Sequence, residues 1–153
     1  MMDYHFEVSE APAQPLLFIR KFTTVGQLPQ EIGQACQTVI EYLNRLGEKP
    51  LNAALTAYYN LDMEHLDVAM GFPVARPLPG SEAIQAGELP AGKQLSYLYK
   101  GPYQGMEPVY NAMFQWLEEQ GLVSSGVYYE FYYNSPEEVP ESELLTKIVF
   151  PLK

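Results

Sequence analysis

The spacing of hydrophobic positions predicts two amphipathic helices. Apolar or aromatic side chains recur at three- and four-residue steps over residues 32–43 and again over residues 106–117, and this spacing places side chains on one face of a helix. Gly47 and Gly121 follow these stretches at the point where a left-handed residue would end a helix. We therefore expect one helix in each half of the chain.

Runs rich in β-branched and aromatic residues predict six strands. Residues 16–24 and 95–100 form two such runs, each bounded by Pro or Gly, and each precedes one of the expected helices. Two further strands are expected after each helix, at about residues 53–59, 66–72, 127–133 and 144–150. The order of elements in each half is therefore β-α-β-β.

An internal repeat supports this order. The segment 57–60 reads Ala-Tyr-Tyr-Asn, the segment 131–134 reads Phe-Tyr-Tyr-Asn 74 residues later, and the same offset aligns the two helical stretches. We place the repeats at about residues 14–74 and 93–152, joined by the Pro- and Gly-rich connector 75–91.

The repeat also predicts the fold class. Because one β-α-β-β copy does not supply two layers of adequate size, we expect the copies to form a single domain over residues 1–153. The predicted fold is α+β, with pseudo-twofold symmetry and two helices on one side of a mostly antiparallel, curved sheet.

Composition narrows the possible partners. The chain has 19 Asp and Glu against nine Lys and Arg, a net charge of −10, which opposes polyanionic DNA and anionic membrane surfaces. It contains neither a run of about 18 apolar residues nor an N-terminal basic segment followed by an apolar one. We expect a cytoplasmic protein that binds neither nucleic acid directly nor a membrane.

One carboxylate is the main candidate for ligand binding. Side chains alternate along a strand, so Tyr128, Glu130 and Tyr132 should share one face of the predicted strand 127–133. The 74-residue offset pairs Tyr58 with Tyr132, which would bring Tyr58 towards the same cleft. A carboxylate among aromatic rings can bind a cation through Coulomb attraction and ring-face contacts. The alternative is a solvent-facing Glu beside structural tyrosines.

Four more aromatic residues are candidate ligand contacts. Tyr103 lies in a strand-to-helix turn, and Trp116 lies on the partly apolar face of the second helix, where it would be either a core residue or a cleft residue. Phe72 and Phe150 end their strands and would be either core residues or the rim of a groove.

The sequence gives little support for a metal site, a catalytic serine or a reactive cysteine. His5 and His65 have no second His or Cys at metal-ligand spacing, so we predict no metal and no cofactor. No Gly-x-Ser-x-Gly elbow is present. Cys36 has apolar neighbours and is interpreted as a buried structural thiol.

An ordered set of phrases resembles the GyrI-like family, which is also the effector-binding domain of AraC-type and MerR-type multidrug regulators. These phrases are Asp67-Val68-Ala69-Met70-Gly71-Phe72-Pro73-Val74, Gly87-Glu88-Leu89-Pro90-Ala91-Gly92, Gly101-Pro102-Tyr103, Tyr129-Glu130 before Asn134-Ser135-Pro136, and Thr146-Lys147-Ile148 to Pro151-Leu152. The resemblance implies a ligand cleft between the halves. It also implies that Glu130 meets cationic, aromatic compounds and that Tyr132 is a second lining position.

The resemblance implies three kinds of activity. Only about a dozen residues lie outside it, too few for a helix-turn-helix, so we expect a stand-alone member. Such a member would bind drug-like cations, act by protein contact on DNA gyrase or a separate regulator, or hydrolyse cyclopropane-bearing DNA-alkylating toxins. We favour a binding protein over an enzyme. In a hydrolase, Glu130 would be the general base and a tyrosine hydroxyl would stabilise the developing charge.

Overall fold

A computed structural model describes residues 4–153. Its helices and strands are, in chain order, β1 (Glu7–Ala11), β2 (Gln14–Thr23), α1 (Leu28–Leu46), β3 (Ala54–Tyr58), β4 (Leu66–Pro73), β5 (Gln85–Leu89), β6 (Gly92–Lys100), α2 (Met106–Gln120), β7 (Tyr128–Tyr132) and β8 (Leu145–Pro151). Short 3-10 helices cover Tyr103–Gly105 and Glu141–Glu143. The α+β class is therefore confirmed for the described residues.

The chain divides into two compact units, each with one helix and four strands. The first unit is Pro12–Ala91, and the second unit combines residues 4–11 with Gly92–Lys153. Strand order is β3-β4-β2-β5 in the first unit and β7-β8-β6-β1 in the second, and the neighbours within each unit pair antiparallel. The two units thus repeat the same arrangement of elements.

Both helices end as the glycines predict. Gly47 has φ 72° and Gly121 has φ 69°, and the residue after each glycine donates its N–H to a carbonyl 2.9 Å away in the last turn. This pattern satisfies carbonyls that the helix end would otherwise leave without a partner. The helices are longer than the hydrophobic spacing predicts, because α1 begins at Leu28 and α2 continues to Gln120.

Helix α1 packs on its sheet through an apolar face. Val39 and Leu43 are fully buried in a cluster with Leu17 of β2, and Phe72 of β4 packs against that cluster. Burial of a side chain of this size stabilises the fold by about 1.5–3 kcal/mol relative to leaving it exposed. This core holds the first unit together.

Two edge strands were not predicted. The expected connector 75–91 contains β5, which pairs with β2, and the segment before β2 contains β1, which pairs with β6. Four of the five residues in each edge strand are exposed. Because these strands are held by backbone pairing and bury few side chains, their sequences carry no alternating hydrophobic pattern.

Within residues 4–153, none of the helices is long and apolar enough to cross a membrane.

Candidate ligand-binding site

The centre of the site is the carboxylate of Glu130, in the middle of β7. The residue is only 8% exposed. Its Oε1 accepts a hydrogen bond from the Tyr132 hydroxyl at 2.8 Å, and its Oε2 accepts one from the Tyr110 hydroxyl of α2. Each carboxylate oxygen therefore has a phenol donor.

Strand alternation sets the direction of the Glu130 side chain. Glu130 pairs with Ile148 and Tyr132 pairs with Thr146 on β8, and directly opposed residues of antiparallel strands share a face. Because Tyr110 of α2 bonds to Glu130, this is the face that meets α2. The predicted grouping of Glu130 with Tyr132 is thus present in the structure.

Sequence reasoning missed Tyr110. It lies within the hydrophobic spacing of residues 106–117, which predicts only a helix face. A buried tyrosine usually places its hydroxyl against a polar partner, so an inward-facing tyrosine was itself a signal. The sequence could not show that its partner would be Glu130, because that contact joins a helix to a strand 20 residues away.

A cluster of aromatic rings surrounds Phe150 and includes Tyr110. Phe150 is fully buried. Its ring centroid lies 4.8 Å from that of Tyr128, 4.9 Å from that of Phe114 and 5.6 Å from that of Tyr110. Of the predicted site residues, Phe150 therefore packs against Tyr110, which donates to Glu130, and Tyr128 packs against Phe150.

Tyr103 forms a more open wall. It is 41% exposed, and its ring meets the edge of the Tyr132 ring at 6.2 Å between centroids and 78° between planes. Burial raises the pKa of the Tyr103 hydroxyl, and the negative charge of Glu130 raises that pKa further. Tyr103 is thus within electrostatic reach of Glu130 and also reaches the surface.

Trp116 belongs to a different aromatic group. Its ring lies 6.0 Å from that of Phe6, and Phe6 in turn contacts Tyr4 and Tyr97, each at 5.4 Å between centroids. Trp116 therefore contacts Phe6, which precedes β1, and Phe6 in turn contacts Tyr97 of β6.

Tyr58 and Phe72 belong to the first unit. Tyr58 is buried at the end of β3, and Phe72 packs against the α1 core. The repeat pairs Glu130 with Thr56, a fully buried residue whose Oγ1 has no hydrogen-bond partner among the described residues. The roles of Tyr58 and Phe72 as ligand contacts stay predictions.

The structure also bears on the metal and thiol predictions. Across residues 4–153, no three His, Cys, Asp or Glu side chains group closely enough to hold a metal ion. Cys36 of α1 is half-buried, and burial raises the pKa of its thiol to about 11. That thiol is therefore protonated at neutral pH and a weak nucleophile.

Known proteins similar to this chain agree on its fold. A family model described as a GyrI-like small molecule binding domain matches residues 4–153. The C-terminal domain of EcmrR is 21% identical over 99% of both chains, with a TM-score of 0.77. The EcmrR chain in a complex with DNA matches this chain with a TM-score of 0.84. This chain spans 57% of that EcmrR chain.

Two more distant structures share the fold. SAV2435, solved with bound tetraphenylphosphonium, is 12% identical over 97% of this chain and 94% of its own, with a TM-score of 0.66. A hydrolase from Listeria innocua is 13% identical over 97% of this chain and 91% of its own, with a TM-score of 0.68. No curated protein has a sequence that matches this chain.

Proposed function

Since this chain belongs to the GyrI-like family of small-molecule-binding domains, we propose that Glu130 and the aromatic residues around it bind lipophilic, planar or cationic small molecules. The observation that carries the proposal is the buried carboxylate with a tyrosine hydroxyl on each oxygen. This position combines a negative charge with aromatic surface.

The charge of Glu130 favours a cationic ligand. A buried carboxylate is costly unless hydrogen bonds or an opposite charge compensate it. The hydroxyls of Tyr110 and Tyr132 supply the hydrogen bonds, and a bound cation would supply the opposite charge. Contacts between that cation and tyrosine ring faces would add about 0.5–2 kcal/mol each.

The surrounding rings favour a ligand with large apolar surface. Tyr103 is partly exposed and stands edge-on to Tyr132, so an aromatic ligand could stack or pack edge-to-face there. The net charge of −10 adds a general attraction for cations. SAV2435, which shares this fold, was solved with tetraphenylphosphonium, a lipophilic aromatic cation.

Calorimetric titration with tetraphenylphosphonium tests the role of Glu130. Removal of the charge partner of a desolvated cation costs about 2–5 kcal/mol, so Glu130→Gln should weaken binding by at least about 30-fold. Glu118→Gln is the matched control, because it makes the same charge change at an exposed position of α2. Equal affinity of wild type and Glu130→Gln would contradict the assignment.

A second candidate function is hydrolysis of a cyclopropane-bearing alkylating compound. It is favoured by the hydrogen bonds that Glu130 accepts from two tyrosine hydroxyls and by the fold shared with a Listeria innocua hydrolase. Glu130 would take a proton from water, and the water oxygen would bond to a ring carbon. The ring C–C bond would break, and its electron pair would pass to the conjugated acceptor, which a tyrosine hydroxyl would stabilise.

Mass spectrometry separates the two functions. A hydrolase would convert the alkylator to a ring-opened product heavier by one water, and Glu130→Gln would abolish that conversion. Unchanged alkylator after incubation with wild type would leave binding as the function.

Two further expectations stay predictions. They are contact with DNA gyrase or a separate regulator, and a cytoplasmic location.

A further inference from the structure

The turn between β6 and α2 is held by the hydroxyl of Tyr99. This hydroxyl donates to the carbonyl of Pro102 at 2.7 Å. The same carbonyl accepts the N–H of Gly105 at 3.0 Å, and the N–H of Gly101 donates to the carbonyl of Leu144 at 2.9 Å. Three hydrogen bonds therefore fix the turn within the second unit.

Two glycines make room for the Tyr99 hydroxyl. A Cβ on Gly105 would lie 2.2 Å from the Tyr99 Oη, and a Cβ on Gly101 would lie 2.9 Å from it. Gly101 also has φ 143°, which a residue with a side chain rarely adopts. Burial raises the pKa of the Tyr99 hydroxyl, and Tyr4 and Tyr97 raise it further, so the hydroxyl keeps its proton and donates at neutral pH.

The register of the sheet links this turn to Glu130. Tyr99 and Tyr132 both pair with Thr146 of β8, so both side chains stand on the same face, two strand spacings or about 10 Å apart. The turn carries Tyr103, whose ring packs against Tyr132. The segment held by Tyr99 thus reaches the tyrosine that donates to Glu130.

We propose that Tyr99 is a positioning residue that holds the turn 101–105 so that Tyr103 stays against Tyr132 beside Glu130. Tyr99 acts through Pro102 and Tyr103, and its effect on ligands rests on the proposed function of Glu130. A ring at position 103 held in one place offers a preformed wall, which lowers the ordering cost of binding.

A double-mutant cycle tests the contact itself. Gly105→Ala should lower the melting temperature more than Tyr99→Phe does, because the new methyl meets the hydroxyl oxygen. In the double variant the hydroxyl is absent, and the Tyr99 Cζ lies 3.4 Å from the methyl. The double variant should therefore have a higher melting temperature than Gly105→Ala. Additive losses of melting temperature would contradict the close approach of the Tyr99 hydroxyl to position 105.

Fluorine NMR of protein labelled with 3-fluorotyrosine tests the positioning. The Tyr103 resonance, assigned with Tyr103→Phe, should shift in Tyr99→Phe and stay in place in Tyr97→Phe. Tyr97 is a suitable control because it lies two residues earlier on the same face of β6 and is also partly buried. An unshifted Tyr103 resonance in Tyr99→Phe would overturn the proposal, whatever the loss of stability.

Tetraphenylphosphonium titration tests the consequence for binding. Tyr99→Phe should bind it about three- to tenfold more weakly than wild type, the effect of one lost hydrogen bond, while Tyr97→Phe should bind like wild type. A shifted Tyr103 resonance with unchanged affinity would overturn the link between the turn and the site. If wild type does not bind the cation, the proposed function fails, and the NMR result still decides whether Tyr99 positions Tyr103.

Discussion

At the scale of single residues, Glu130 depends on the two tyrosine hydroxyls that donate to it. Tyr110 comes from α2 and Tyr132 from β7 itself, so the carboxylate also ties the helix to the sheet. A buried charge that loses a hydrogen-bond donor keeps its desolvation cost without the compensating bond. The tyrosines should therefore contribute to stability as well as to any ligand site.

Removal of either hydroxyl should destabilise the fold. Hydrogen bonds to charged groups contribute about 1.5–3 kcal/mol, so Tyr110→Phe and Tyr132→Phe should each lower the free energy of unfolding by that order in urea denaturation. Tyr133→Phe is the control, because Tyr133 follows β7 and is 41% exposed. Losses for the two inner tyrosines no larger than for Tyr133 would mean that Glu130 does not need these donors.

The sequence predicts only the local part of the arrangement around Glu130. Alternation along one strand groups Tyr128, Glu130 and Tyr132 correctly, because that relation is local. The bond from Tyr110 depends on how α2 packs on the sheet, and no spacing along the chain encodes it. The turn held by Tyr99 is likewise visible only once the glycines and the hydroxyl are placed together.

At the scale of elements, the helix ends are encoded by glycine and the edge strands are not encoded by side chains. Gly47 and Gly121 take the left-handed conformation that predicts a helix end. Strands β1 and β5 expose most of their side chains and are held by backbone pairing. Hydrophobic pattern therefore predicts every element that carries the core and misses these two.

Two glycines of α1 should respond to alanine with opposite signs. A Cβ added at Gly33 or at Gly47 would have no neighbouring atom within 4 Å. The backbone conformation at each glycine therefore determines the change in stability. Gly33→Ala in the helix interior should raise the free energy of unfolding by about 0.5–1 kcal/mol. Gly47→Ala, at φ 72°, should lower it by about 1–2 kcal/mol.

Chemical denaturation of the two variants side by side checks this expectation. Both variants add one methyl group to the same helix, so the difference between them reports the effect of the backbone angle. A stabilised Gly47→Ala would contradict the left-handed end of α1.

At the scale of the whole molecule, the internal repeat predicts the fold better than any single element does. The order β-α-β-β occurs in both units, and the strand order of each unit matches the other. Duplication also draws attention to the position where the halves differ, because Glu130 pairs with Thr56 in the first half. An acidic composition alone does not single out this carboxylate from the 19 acidic residues.

We propose that Glu130 makes the second unit selective for cations of aromatic, lipophilic shape. Tetraphenylphosphonium and tetraphenylborate have almost the same shape and opposite charge, so a comparison of their affinities isolates the charge. Calorimetric titration of the wild-type protein should find the phosphonium bound at least about 30-fold more tightly than the borate, the ratio that about 2 kcal/mol produces. Equal affinity for the two ions, or tighter binding of the borate, would contradict this role of Glu130.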